Sequence, residues 1–539
     1  MSEDRFDVVV VGAGSAGCAL AGRLSEDPSL QVLLLEAGGS DDVLEVQVPA
    51  ALYKTFRTRR DWNYSTEPQP AAAGRSVFWP RGKLLGGSSS INAMIYVRGA
   101  AADYDEWAQL TGDPRWSYDE VLPVFRRMED NARGADAFHG VGGPLRVEDP
   151  RSPHPWSRAV VESAVAAGYP RNTDFNGAAQ EGAGLYQLTQ KRGRRWSTAD
   201  AYLRPALGRP NLTVRTGAQA TRVVLEGADG DLRATGVEYR SGGSVHQVHA
   251  EEVVLSGGAI NSPQLLMLSG IGPAEHLRAV GVEVRHDLPG VGQGLQDHPL
   301  VPTIWHVRSG KSLFRGESPA GYAQWFAARR GPLTSNLAEA GLFTRSQDGL
   351  AEPDLQYHFL PVKYWQQALV DPDVDAFTAC AVLVRVASRG SVTLRSADPT
   401  WAPAIDAGYL TEDSDLEALV TGVEKAREIA AVGPLARVLA DEWSPGGTVS
   451  TRAALRQRVR ETLESLYHPV GSARMGTDED AVVDPELRVR GVAGLRVVDA
   501  SVMPTLVRGN TNAPTIMVAE RGADLVAASL GARSAATTR

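Results

Sequence analysis

Residues 8–11 are four consecutive valines, set between a polar start and a glycine-rich turn. An unbroken apolar run without alternation predicts a strand buried on both faces, as in a parallel sheet. Gly12-Ala13-Gly14-Ser15-Ala16-Gly17 follows at once. The small, apolar residues 18–24 then predict a helix, and residues 32–35 a second strand that ends at Glu36. Later runs are shorter. Residues 212–214 and 220–225 read as strands, residues 237–239 and 245–248 as a hairpin around Ser241-Gly242-Gly243, and residues 252–255 as a buried strand running into a glycine turn. Residues 355–360, 382–386 and 391–394 are strand-like, and 413–431 has helical periodicity. A βαβ start followed by strands and then helices predicts an α/β nucleotide-binding unit with an α+β domain inserted in it.

Composition narrows the function classes. The chain has 539 residues, 43% hydrophobic and 22% charged, ordinary values for a chain with a large core. The formal net charge of −9 argues against nucleic acid as a partner, since phosphate-backbone binding calls for a basic excess. Two cysteines, Cys18 and Cys380, cannot build a disulfide framework and fit a reducing, cytoplasmic setting. The start, Met1-Ser2-Glu3-Asp4-Arg5, lacks the features of a signal peptide, and no transmembrane segment is expected. The last residues, 531–539, read as a loose tail. Oligomeric state is left open.

The first unit carries chemistry. Gly12-x-Gly14-x-x-Gly17 permits a tight turn and close backbone approach to a pyrophosphate at a helix N-terminus. Glu36, 19 positions after Gly17, stands where a ribose would be bound. This predicts dinucleotide binding without separating FAD from NAD(P). Four further clusters stand out: Gly82 to Asn92, with Gly86-Gly87-Ser88-Ser89-Ser90; Ser256 to Gly272; Tyr467-His468-Pro469-Val470-Gly471; and Asp499-Ala500 running on to Asn510-Thr511-Asn512-Ala513-Pro514-Thr515. His246-x-x-His249 has a spacing that a strand places on opposite faces, so no metal site is expected.

These clusters, in this order along nearly the whole chain, resemble the glucose–methanol–choline (GMC) oxidoreductases. Their wording is closest to choline dehydrogenases and bacterial alcohol dehydrogenases. The resemblance implies a Rossmann-like, discontinuous FAD-binding domain (residues 1–155, 195–305 and 460–535). It also implies an inserted α+β substrate domain on an antiparallel sheet (156–194 and 306–459). Position by position, it implies cofactor contacts at Gly12, Gly14, Ser15, Gly17, Glu36 and Ala37, and at Arg81, Gly86, Gly87, Ser88, Asn92, Ala93 and Met94. Further contacts are implied at Ala220, Ser256, Gly257, Ala259, Asp499, Ala500, Asn512 and Thr515. His468 matches the catalytic histidine and Asn510 the second catalytic position. Some relatives tether FAD through a histidine where this chain has Ile91, so noncovalent FAD is expected.

The residue types suit oxidation of a primary alcohol to an aldehyde. An imidazole can take the hydroxyl proton at physiological pH, an amide can hold the developing alkoxide, and flavin can take the hydride, with O2, a quinone or an artificial acceptor as reoxidant. The alternative on the same scaffold is a redox-neutral, hydroxynitrile-lyase-like enzyme. Two substrate-side candidates remain open. Glu339 falls near where choline-using relatives hold an acid, and His358 aligns with a substrate-domain histidine; each is otherwise a buried structural residue. The alcohol itself (choline, an alkanol, an aryl or a furanic alcohol) is not readable from the sequence.

Overall fold

The computed structural model describes residues 4–370 and 372–537, with side chains to Gly531. The polar start read at residues 1–3 lies outside the described residues. The four valines form the inner part of strand Arg5–Val11, and Val8, Val9 and Val10 are fully buried. This strand is central because both its neighbours are parallel: Val32–Leu35 on one side and Ser244–Leu255 on the other. Leu212–Arg215 adds a further parallel strand beyond Val32–Leu35. Leu232–Ser241 and Gln219–Glu226 continue the other side antiparallel. Leu495–Val497, from far down the chain, pairs parallel with Ser244–Leu255. The sheet is therefore built from both ends of the sequence, as a discontinuous domain requires.

The hairpin falls where the sequence places it. Ser241 pairs with Ser244, and Gly242 and Gly243 both have positive φ, 58° and 82°, the geometry that a two-residue turn between twisted strands demands. The two strands read at 245–248 and 252–255 are one continuous strand, Ser244–Leu255. Its first half is exposed and pairs with one neighbour, while its second half is buried between two, so the side-chain pattern changes although the backbone ladder does not.

A second sheet of seven strands is antiparallel throughout. Its order is Leu439–Ser444, Pro299–Val307, Ala376–Leu383, Leu355–Leu360, Ala340–Thr344, Gly182–Leu185, and Glu464–Ser465 also pairs with Pro299–Val307. Helix Asp413–Ala430 covers it: a methyl at Gly422 would stand 2.8 Å from the Ala381 side chain, and the Tyr357 hydroxyl donates to the Gly422 carbonyl at 2.6 Å. Two details shift from the sequence reading. The strand expected over 382–386 ends at Leu383. The limit expected at 305/306 falls inside Pro299–Val307, which belongs to the second sheet, as does Glu464–Ser465.

The last helix, Asn512–Thr537, packs on helix Ser15–Leu24 and returns the chain to the first sheet. The join is ionic. Glu520, 1% exposed, accepts from Arg23, Arg127 and the Tyr202 hydroxyl. The tail read as loose over 531–539 is helical to Thr537, and residues 538–539 lie outside the described residues. His246 and His249 sit on one strand with their side chains apart, His246 stacking on Tyr239. Among the described residues no metal-ligand cluster occurs, and no helix is long and apolar enough to cross a membrane.

Candidate active site

A single cavity runs between the two sheets. At one end it is bordered by Gly12, Gly14, Ser15, Glu36, Ala37 and Ala220. Arg81, Gly87, Ser88, Asn92, Ala93 and Met94 line one long wall, and Ser256, Gly257, Ala259, Asp499, Ala500, Asn512 and Thr515 the other. His358, His468 and Asn510 close the far end. Residues drawn from seven separate stretches of sequence thus share one surface.

Three helices, Ser15–Leu24, Gly258–Leu268 and Asn512–Thr537, start at this cavity; no side chain caps the first, and the Asp499 carboxylate accepts from the leading N–H of the second. Their leading N–H groups and dipoles make an electropositive floor suited to a diphosphate. The Ser15 hydroxyl donates to Asn512 Oδ1 at 2.8 Å and ties two of these ends together. Gly14 leaves open space where a Cβ would stand. Glu36 accepts from the N–H groups of Ala13 (2.9 Å) and Gly38 (2.7 Å), yet burial outweighs both bonds and raises its pKa to about 7. Its remaining lone pairs suit ribose hydroxyls. Asp499 holds the opposite wall through Gly258 N–H, the Ser262 and Ser501 hydroxyls and Ser501 N–H. These residues fit a dinucleotide such as FAD.

Three expected contacts do not border the cavity. Gly17 serves packing: a Cβ there would lie 1.7 Å from the Gly12 carbonyl oxygen, so its absence lets the helix sit against the strand. Gly86 serves the turn, with φ 82°, and its N–H donates to the Ala13 carbonyl. Glu339 corrects the expectation of a substrate-facing acid. Asn336, Leu337 and Ala338 border the cavity, and Glu339, fully buried, does not. The Glu339 carboxylate instead accepts from His154 N–H at 2.7 Å and the Ser157 hydroxyl at 2.6 Å, at the start of helix Pro155–Ala166.

His468 follows Tyr467, which is held at φ 65°. Its own N–H donates to Asp297 Oδ1 at 2.6 Å. The His468 Nδ1 lies 2.9 Å from Nδ1 of His298, and its Nε2 lies 3.5 Å from the amide nitrogen of Asn510. Burial, then His298, His358 and Arg81, hold the His468 pKa well below the ordinary imidazole value. The His298 Nε2 is buried without a hydrogen-bond partner among the described residues, so its only ring contact of hydrogen-bond length is the one with His468. The Nδ1–Nδ1 contact needs one ring to donate and the other to accept; with the proton of His298 on its Nε2, its Nδ1 accepts from His468 Nδ1–H. His468 Nε2 is then the free base facing Asn510. Gln356 donates to Asn510 Oδ1 at 3.1 Å and so turns the Asn510 NH2 toward His468. His358 borders the same space, and burial lowers its pKa to about 3.

Sequence reading missed Asp297, His298 and Gln356, which orient the pair, and Arg195. Arg195 donates to the Ser89 carbonyl and to Asn92 Oδ1, and holds the 89–92 loop. One signal was available: His298-Pro299 repeats the His-Pro pairing of His468-Pro469.

The comparisons agree with this geometry. Family models described as GMC oxidoreductase match residues 6–300 and 386–519. A GMC-type oxidoreductase of Mycobacterium tuberculosis is 48% identical over 97% of this chain and 99% of its own. Mitochondrial choline dehydrogenase of Homo sapiens is 44% identical over 97% and 90%, and alcohol dehydrogenase [acceptor] of Pseudomonas putida 42% over 97% and 95%. The crystal structure of pyridoxine 4-oxidase from Mesorbium loti superposes with TM-score 0.89 at 35% identity, covering 96% of this chain and 98% of that one. With both halves matched and the cavity assembled as described, the chain belongs to the GMC oxidoreductase family, whose members are FAD-dependent oxidoreductases of CH–OH donors.

Proposed function

We propose that the protein holds FAD noncovalently and oxidises a primary alcohol to an aldehyde, with His468 as general base. The observation that carries this reading is the buried His468 ring at the cavity, its Nε2 3.5 Å from the Asn510 amide nitrogen, in surroundings that favour the neutral imidazole. In this reading His468 Nε2 takes the hydroxyl proton, and the Asn510 NH2, aimed by Gln356, donates to the developing alkoxide. When bound, FAD supplies the two-electron acceptor for the carbon-bound hydrogen. The walls keep water from the reacting end, where Ile95, Leu300 and Leu360 stand. Ile91, 3% exposed and packed with Val46 and Leu84, offers no nucleophile for a covalent tether. The reoxidant is O2 or a quinone-like acceptor. The two free, buried thiols agree with a cytoplasmic setting. No observation favours the redox-neutral lyase.

Anaerobic mixing of holoenzyme with a panel of primary alcohols tests the proposal. The blue absorption band of oxidised flavin should bleach, and His468→Ala should bleach about 10²–10⁴-fold more slowly while retaining flavin. Parent-like bleaching in that variant would remove the base role. Flavin should leave with the supernatant on acid precipitation; flavin staying with the pellet would show a covalent bond.

A further inference from the structure

The reacting end of the cavity carries no carboxylate among the described residues. Its walls there are Ile95, Leu300, Leu337, Leu360 and Cys380, around the imidazoles and the Asn510 amide. The two acids that do border the cavity are engaged elsewhere: Glu36 with the Ala13 and Gly38 N–H groups, and Asp499 with four donors of its own wall. Asp297, behind His468, has its oxygens taken by His468 N–H and the hydroxyls of Ser465 and Tyr409. Glu339 is turned to the helix start at 154–157. The charged side chain that does line this region is a cation, Arg81, which bonds the carbonyls of Pro80 and Tyr467 and makes no ion pair among the described residues.

We infer that the substrate is a primary alcohol with an uncharged, apolar tail, and that quaternary ammonium alcohols are discriminated against. This rests on the alcohol-oxidation reading above. A buried onium group would lose its hydration with no anion to replace it, and with Arg81 repelling it. Phe56, Tyr364 and Tyr467 also line the cavity, Phe56 edge-on against Tyr467 and the two tyrosine hydroxyls bonded to each other, and ring faces alone replace only part of the hydration of a cation. A second cavity shares Leu337, Tyr364 and Ala368 with the first and continues between Ala51, Leu313 and Val362, with Glu317 and Lys363 also on its lining. A hydrocarbon tail has a largely apolar path to extend along, and the one carboxylate on that path among the described residues, Glu317, is already held by Lys54 and the Tyr53 and Tyr322 hydroxyls.

The test compares three probes on holoenzyme under anaerobic conditions: choline, its neutral isostere 3,3-dimethylbutan-1-ol, and 1-octanol. The second-order rate of flavin bleaching should be at least about tenfold higher for one or both neutral alcohols than for choline. Choline within tenfold of both neutral alcohols, or faster, overturns the inference and leaves alcohol oxidation standing. Bleaching by none of the three overturns both.

Discussion

At His468, burial and the neighbouring imidazoles of His298 and His358 favour the neutral ring, and the Nδ1–Nδ1 contact with His298 couples the tautomers of the two rings. A base whose folded pKa lies far below the ordinary value stays unprotonated through neutral pH. Flavin reduction by alcohol should therefore lose rate only on the acid side, below the range of an ordinary imidazole, in a pH profile of kcat/KM. His298 acts through His468, so it is a positioning residue. His298→Ala should slow flavin bleaching about 10- to 100-fold, the size of one hydrogen bond to a ring that becomes charged. It should also shift the acid limb of the pH profile and keep FAD bound. His298→Gln, which retains an acceptor, should recover part of the rate. Equal rates in the two variants would show that His298 only fills space.

Among the elements, the glycine turn after strand Arg5–Val11 separates two roles that share one motif. Gly17 lies 1.7 Å from the Gly12 carbonyl once a Cβ is added, whereas Gly14 faces open cavity. Gly17→Ala should force helix Ser15–Leu24 off the sheet and cost about 1–3 kcal/mol or more of stability, seen as a lower denaturation midpoint. Gly14→Ala should leave the apoprotein's Tm unchanged and weaken FAD binding by about tenfold or more, measured by flavin titration, because the new methyl meets only what occupies the cavity. Both strand positions and the turn were readable from the sequence, since a valine run and a glycine spacing are local signals. The length of Ser244–Leu255 was not, because its pairing partners, rather than its own side chains, decide where the ladder stops.

Across the whole molecule, buried histidines set opposing pH dependences. His298 and His358 have folded pKa values of about 3, lowered by burial from an ordinary ~6.5. The unfolded chain binds their protons first as pH falls, so the stability they allow is complete above about pH 6.5 and declines below it. At pH 5 each removes about 2 kcal/mol. His139 works the other way: burial opposes its charge, but hydrogen bonds to Asp174 and Glu129 outweigh that and push its pKa up to about 9. Its contribution is present below about pH 6.5 and is lost as pH rises through about 9. Thermal unfolding of the apoprotein should therefore show a Tm that falls from pH 7 to 5, with a shallower fall in His358→Gln. A flat Tm over that range would contradict the buried neutral rings.

The resemblance to the family singled out His468 and Asn510 as candidates, while the amino-acid sequence by itself determined the dinucleotide unit and the order of the glycine clusters. These rest on local patterns: apolar runs, glycines where backbone must approach closely, and motif spacing. Tertiary structure alone decided which side chains meet. Hydrogen bonds from His154 N–H and the Ser157 hydroxyl, far away in sequence, hold the Glu339 carboxylate at a helix start, and the pairing of Pro299–Val307 with Glu464–Ser465 brought His298 against His468 from 170 positions away. Such contacts depend on sheet register and on the return of distant chain to one wall, which no local pattern of residues encodes.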